Sequence, residues 1–183
     1  GRLAQRHGKE FETWLTSQHN LALRPGPDRL LSWAIHIEAE AKYLRDRATG
    51  EKRLTHTADA YADFVLMSTR AWGSRVLVVE AKSVWGVGAR LSLNDIQPQQ
   101  REHLVATWKE GGVAALAVEF REPGPKGFVD TFRRFAIRWA EIRWVVGGRG
   151  GWSIGAEDCA GFEVPPETGP RRQIYVQKLL EAA

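Results

Sequence analysis

Two short apolar runs constrain this chain more than any other feature. Residues 64–67 are Phe-Val-Leu-Met and residues 76–79 are Val-Leu-Val-Val, and the segment between them contains Gly73. Apolar runs of this length, rich in β-branched residues and joined by a turn, predict an antiparallel hairpin whose strands are covered on both faces. A regular hairpin then pairs Met67 with Val76, Val65 with Val78 and Asp63 with Glu80.

The end of this predicted hairpin carries charges where a buried strand should be apolar. Side chains alternate along a strand, so Val78, Glu80 and Lys82 share one face, and residues directly opposite each other share that face as well. Asp63, Glu80 and Lys82 should therefore form one small patch. The simplest interpretation is an ion pair where the strand reaches solvent, and such a pair contributes little to stability. The alternative is a functional site.

The rest of the chain predicts helices and strands around this hairpin. The apolar spacing predicts helices over 4–19 and 93–110, with Asn94 or Asp95 as the cap of the second, and strands over 21–24, 33–37 and 113–120. Pro98 makes the start of the second helix ambiguous. The order predicts a mixed α/β sheet flanked by helices, in one domain that covers 1–183, with the acidic patch at strand ends.

Residues 38–57 interrupt this pattern with a polar, charged segment. It has few apolar residues that could form a core, and it includes five basic residues, Lys42, Arg45, Arg47, Lys52 and Arg53. We expect a protruding arm rather than a second domain.

The amino-acid composition excludes some classes of protein and favours others. One cysteine, Cys159, excludes a disulfide framework and fits a reducing compartment, and no run approaches membrane-spanning length, so we expect a cytoplasmic protein without a membrane partner. The net charge is +4, and only seven of the 26 basic residues are lysines. Arginine forms bidentate hydrogen bonds with phosphate, although an Arg-rich solvated surface explains the same count.

The acidic patch has the residue types of a metal-dependent nuclease. Mg²⁺ takes hard oxygen ligands, commonly one or two carboxylates with water and substrate phosphate. Asp63 and Glu80 would supply the carboxylates, with the backbone carbonyl of Ala81 within reach. A bound divalent ion activates water for attack on phosphorus, and Lys82 could stabilise the developing charge. Mn²⁺ is expected to substitute for Mg²⁺.

An Asp, a hairpin and then Glu-x-Lys resemble the signature of the PD-(D/E)xK nucleases, which have a restriction-endonuclease-like fold. The wider chain resembles the RecU-type Holliday junction resolvases and, more distantly, the archaeal Hjc resolvases. The matching elements run nearly end to end in the family's order: Gly8-x-x-x-Glu12, Asp63, Glu80-Ala81-Lys82, the Gln100 helix, Gly111-Gly112 and the tail Pro-Glu-Thr-Gly-Pro-Arg-Arg-Gln-Ile-Tyr-Val.

The resemblance implies roles for five residues. Asp63 and Glu80 would bind the metal, Lys82 would be catalytic, and Glu12 and Gln100 would complete the site from flanking helices. Glu12 could instead be an exposed helix carboxylate and Gln100 a solvated amide. The hairpin is longer than the family pattern, and Asp59 is a rival for the first carboxylate.

The resemblance also implies the substrate and the partners. Segment 38–57 occupies the place of the family's stalk, which contacts the centre of a four-way DNA junction. The predicted DNA-binding residues are Arg24, Lys42, Arg45, Arg47, Arg53, Arg171 and Arg172. Paired cuts require two sites, so we expect a homodimer, the commonest closed assembly. The alternatives are a PD-(D/E)xK nuclease that cuts duplex, branched or damaged DNA, and a basic DNA-binding protein without activity.

Overall fold

A computed structural model of the chain describes residues 2–27, 29–37, 41–45, 52–56, 62–124, 131–142, 152–165 and 174–181. Its helices of eight or more residues are α1 (Arg2–Ala22), α2 (Pro98–Lys109) and α3 (Ile174–Glu181), and residues 139–142 are also helical. Its strands are β1 (Leu31–His36), β2 (Ala41–Arg45), β3 (Lys52–His56), β4 (Phe64–Ser68), β5 (Val76–Trp85), β6 (Arg90–Ser92), β7 (Val113–Glu122), β8 (Thr131–Arg138), β9 (Ser153–Gly155) and β10 (Glu163–Val164). None of the described helices is both long and apolar enough to cross a membrane.

The core of the fold is a six-stranded mixed sheet. Its strand order is β1-β4-β5-β7-β8-β10. The central pair β5–β7 is parallel, with α2 in the connection between them, and the other neighbours are antiparallel. A mixed sheet flanked by helices is the predicted α/β class.

Each face of the sheet has its own apolar cluster. On one face, Leu77, Val79 and Phe64 pack with the buried stripe of α1, which includes Phe11 and Leu15, and with residues of α3. On the other face, the residues that alternate with these along the strands, such as Val78, pack with Leu104 of α2. Both faces of β5 and β7 are therefore covered, which explains their continuous apolar sequence.

The predicted strand at 21–24 is wrong, because α1 continues to Ala22 and a turn follows it. Ala22 is buried against the sheet, and the amide of Leu23 donates to the carbonyl of His19 at 3.0 Å, as in a helix. The short apolar segment after Asn20 extends the buried stripe of the helix and does not begin a strand. The predicted strand that follows it is confirmed as β1.

The second predicted helix starts later than expected. Residues Leu93–Asp95 form a separate 3₁₀ turn, in which the Ser92 hydroxyl accepts from the Asn94 amide, and α2 begins at Pro98. Proline suits the first helical position because it has no amide hydrogen to leave unpaired. The predicted caps Asn94 and Asp95 are therefore wrong, and Gln97 takes that position.

The glycine pair Gly111-Gly112 follows the end of α2 for two reasons. Gly111 has φ 81°, a conformation that favours glycine. A Cβ on Gly112 would lie 2.7 Å from Cγ2 of Thr107, so a side chain there would displace α2 from β7.

The charged segment 38–57 contains β2 and β3, which form a separate two-stranded antiparallel sheet. We call this sheet the β2–β3 ribbon. Its register pairs Lys42 with Thr55 and Arg45 with Lys52. Arg47 lies outside the described residues.

Candidate active site

The β4–β5 hairpin has the register that the two apolar runs predicted. Met67 pairs with Val76 and Val65 with Val78, and the ladder ends at the pair of Phe64 and Val79. Asp63 is one residue further on, beside Glu80 of the adjacent strand. Its Oδ2 accepts a hydrogen bond of 2.6 Å from the backbone amide of Ala81. The Asp63 side chain thereby continues the ladder by one hydrogen bond and is held next to Glu80.

Glu80 and Lys82 form a buried ion pair, not a pair at the solvent edge. The side chain of Glu80 is 1% exposed, that of Lys82 is 22% exposed, and Nζ of Lys82 lies 2.7 Å from Oε1 of Glu80. Neither oxygen of Glu80 has a hydrogen bond of good geometry within the described part of the chain. A buried carboxylate with so few donors is costly. The Lys82 ammonium already lies on Oε1, so a second cation would share this carboxylate with Lys82.

Burial raises the pKa of both carboxyl groups. Burial is the largest cause that raises the pKa of Glu80, to about 7, and the neighbouring charge of Asp63 raises it further. The charge of Lys82 and contact with the Gln100 amide offset part of this rise. Burial also raises the pKa of Asp63, against the hydrogen bond from Ala81 and the charge of Lys82. Two carboxyl groups of raised pKa in contact are typical of functional sites.

Gln100 reaches this pair from the first turn of α2. Its side chain is buried, so it is not a solvated helix amide. Its Oε1 accepts a hydrogen bond of 3.0 Å from the Gln97 amide at the helix start, and the side chain contacts Glu80. The same residue therefore caps α2 and lies against the carboxylate.

Glu12 contacts a histidine that sequence reasoning missed, while α1 itself packs on the face of the sheet opposite the one that carries Glu80. Oε2 of Glu12 lies 3.7 Å from Nε2 of His36, and the ring of His36 stacks on Phe64 with centroids 4.6 Å apart. When protonated, His36 stabilises the charged form of Asp63, the residue next to Phe64. His36 comes close to Asp63 because it pairs with Phe64 in the antiparallel β1–β4 ladder. These strands are distant in sequence, so the sequence pattern did not indicate the contact.

The predicted DNA-binding residues are spread over the chain. Arg24 is exposed in the turn after α1, Lys42 and Arg45 belong to β2, and Arg53 belongs to β3. Arg171 and Arg172 lie outside the described residues, as does the rival carboxylate Asp59.

A metal ion bound at this site would have few protein ligands. Within the described ranges, no group of three or more His, Cys, Asp and Glu side chains is arranged to hold a metal ion. Mg²⁺ commonly takes only one or two carboxylates and completes its octahedron with water and substrate. The Asp63–Glu80 pair supplies carboxylates of that kind, and the supporting observation is that buried Glu80 has no hydrogen bond of good geometry within the described residues beyond its ion pair with Lys82.

Comparisons of this sequence with protein-family models and with curated proteins find no match.

Proposed function

We propose that this chain is a Mg²⁺-dependent endonuclease with a restriction-endonuclease-like fold, which resolves four-way DNA junctions by paired symmetric nicks in recombination and repair. The observation that carries the proposal is the contact between the buried carboxylate of Glu80, the half-buried carboxylate of Asp63 and one ammonium at the end of the central hairpin. Glu80, Lys82 and Gln100 come from two different elements, and Asp63 is fixed by the Ala81 amide. A surface ion pair does not require this burial.

Each residue has a distinct part in phosphodiester hydrolysis. Asp63 and Glu80 would hold a divalent ion, which when bound supplies positive charge at the scissile phosphate and lowers the pKa of water. Lys82, now neutralising Glu80, would turn its ammonium toward charge that develops on phosphate oxygen. Gln100 would orient Glu80 or the attacking water through its amide. Glu12, at the edge of the group, would position His36.

The substrate is proposed from the resemblance and from the β2–β3 ribbon. A basic ribbon separate from the main sheet fits the stalk of the resolvases named above, and the chain carries a net charge of +4 for phosphate binding. The same site would also serve a nuclease that cuts linear duplex, which is the second enzymatic candidate. A DNA-binding protein without catalysis is the remaining candidate.

One experiment separates these three candidates. Purified protein is incubated with Mg²⁺ and either a labelled immobile four-way junction or the matching linear duplex. We expect nicks in the junction and little cutting of the duplex. Asp63→Ala and Glu80→Ala should abolish cleavage while junction binding stays nearly intact, and Lys82→Ala should lower turnover with little change in Mg²⁺ dependence.

The matched control is Glu102→Ala, which removes an exposed carboxylate from α2. Equal cutting of duplex and junction would favour the second candidate. Junction binding without any metal-dependent cleavage would favour the third, and cleavage at the wild-type rate by Glu80→Ala would refute the site.

A further inference from the structure

The start of α2 joins a helix cap to the candidate site through one side chain, Gln100. Its Oε1 accepts a hydrogen bond of 3.0 Å from the backbone amide of Gln97, the residue that precedes the helix. Glutamate or glutamine at the third helical position commonly bonds the amide of the capping residue in this way. The buried side chain of Gln100 also contacts Glu80. One amide group therefore has a partner at the start of α2 and another on β5.

The bond from Gln97 determines which end of the Gln100 amide faces Glu80. A backbone N–H needs an acceptor, and in a side-chain amide only the oxygen accepts, so Oε1 is turned to Gln97 and the NH₂ group to Glu80. An ionised carboxylate accepts hydrogen bonds and has none to donate. The orientation is therefore the one that suits a charged Glu80. Burial raises the pKa of Glu80, and the Gln100 amide offsets part of that rise.

These two contacts explain why residue 100 is a glutamine. Glutamate is the other common residue at this helical position, and its carboxylate would accept equally well from the Gln97 amide. A glutamate would offer Glu80 no donor, however, and would place a second negative charge against it. Glutamine is thus able to cap α2 and to donate to Glu80 at the same time.

We propose that the backbone amide of Gln97 is a positioning group for the candidate site: it orients the Gln100 amide, which in turn orients Glu80 toward a divalent ion. The inference rests on the proposed function, and of the two parts given there to Gln100 it selects the orientation of Glu80. The side chain of Gln97 is exposed, so only its backbone has this role. Groups that orient a metal ligand commonly change metal affinity by about 10- to 100-fold. The expected defect is therefore in Mg²⁺ binding and not in turnover.

Proline at position 97 removes this amide without straining the chain. Gln97 has φ −58° and ψ 148°, and Ile96 before it has φ −86° and ψ 117°. Proline and the residue that precedes it both adopt such values. Gln97→Pro therefore deletes the hydrogen bond to Gln100, whereas the matched control Gln97→Ala removes the exposed side chain and keeps the amide.

Calorimetric titration with Mg²⁺ in the absence of DNA measures the effect. The Kd for Mg²⁺ should rise about 10-fold in Gln97→Pro and stay within about twofold of the wild type in Gln97→Ala. The kcat for junction cleavage at saturating Mg²⁺ should change little in either variant. Gln100→Leu, which has no amide to orient, should show the same weakened binding, and adding Gln97→Pro to it should weaken binding no further.

Nuclear magnetic resonance adds a readout that needs neither metal nor DNA. The side-chain NH₂ protons of Gln100 should have well separated chemical shifts in the wild type and in Gln97→Ala, because one of them is held against a carboxylate. They should move to the shifts of a solvated amide in Gln97→Pro, while circular dichroism shows that the helices remain.

Three outcomes would overturn the inference and leave metal-dependent nicking intact. They are equal Mg²⁺ affinity in Gln97→Pro and Gln97→Ala, wild-type Mg²⁺ affinity in Gln100→Leu, and a further loss when Gln97→Pro is added to Gln100→Leu. A protein that shows the expected Gln100 proton shifts but neither binds Mg²⁺ nor cuts DNA would contradict the proposed function instead.

Discussion

At the residue scale, the desolvation of the Asp63 and Glu80 carboxylates works against stability. Burial disfavours the charged form of each carboxylate. The ammonium of Lys82 and the amide of Gln100 partly stabilise the charge of Glu80. Proteins retain such arrangements where a ligand makes use of them. Under the proposed function, a divalent ion is expected to stabilise this pair.

Mg²⁺ should raise the thermal unfolding midpoint of the wild-type protein. Binding to the folded state alone stabilises by about 2.7 kcal/mol at a ligand concentration of 100 Kd. Glu80→Gln, which keeps the shape but removes one anionic ligand, should lose most of this shift. Scanning fluorimetry with increasing Mg²⁺ measures it, with Glu102→Gln as the control. An equal shift in Glu80→Gln would place the ion elsewhere.

His19 predicts a separate dependence of stability on pH. Burial, and secondarily the charge of His36, lower the pKa of His19 to about 3, and its Nε2 has no hydrogen-bond partner within the described residues. The unfolded chain therefore binds a proton below about pH 6.5 that the folded state excludes, so stability falls as pH decreases. Between pH 6.5 and 5 the loss should reach about 2 kcal/mol.

His19→Phe should remove this slope, because Phe fills the site against Phe64 and Tyr175 without a group to protonate. Urea unfolding at pH 7 and pH 5 measures the difference between variant and wild type. The other titrating groups cancel in that difference. Parallel pH profiles would show that His19 is hydrated in the folded state.

At the element scale, a buried ion cluster connects β7 to β8 and α1. Glu119 of β7 is fully buried; its Oε1 lies 2.9 Å from Nη2 of Arg121, and its Oε2 accepts from Nε of Arg134 at 2.9 Å. Arg121 also donates to Glu10 of α1 at 2.6 Å, and Arg134 packs on the ring of Trp14, 4.1 Å from its centroid. The cluster fixes how α1 lies on the sheet.

Glu119→Ala should destabilise the protein by about 3–5 kcal/mol, because it leaves two largely buried guanidinium groups without their shared carboxylate. Denaturant unfolding measures the change. Glu102→Ala, an exposed carboxylate, should cost less than about 0.5 kcal/mol. A small effect of Glu119→Ala would mean that water replaces the carboxylate and that α1 is held by its apolar stripe alone.

The β2–β3 ribbon is expected to contact DNA phosphates. Replacing Arg45, Arg47 and Arg53 together with Gln should reduce the slope of log affinity against log salt by up to about 0.9 for each lost phosphate contact. Fluorescence anisotropy with a labelled junction at several salt concentrations measures the slope. Arg101→Gln with Lys109→Gln on α2 is the control, and an unchanged slope in the triple variant would exclude the ribbon from the DNA interface.

The sequence predicted some elements correctly for an identifiable reason. The register of the β4–β5 hairpin follows from two apolar runs, because a one-residue slip would move every side chain to the wrong face. The ends of the helices depend on local burial and on single residues such as proline, which the spacing of apolar residues does not determine. Leu21 and Ala22 extend α1 through burial, and Pro98 delays α2. His36 joins the site only through pairing of distant strands.

At the scale of the whole molecule, junction resolution predicts two coordinated cuts. A homodimer should nick opposing strands of a cruciform plasmid within one bound lifetime, giving linear product without accumulation of nicked circles. Agarose gels of a time course measure the two products. A wild-type protein that releases mainly nicked circles would be a structure-specific nickase, not a resolvase.

The pairing of Asp63 beside Glu80 has a consequence for evolutionary comparison. The loop between β4 and β5, with its turn at Arg70–Trp72, can gain or lose residues without moving either carboxylate, since the strand ladder fixes their position. Distant kin would then preserve the cross-strand neighbourhood while the interval between the two acids in the primary structure drifts. A search pattern built on a fixed interval would miss them, whereas one that counts outward from the last apolar pair would recover them.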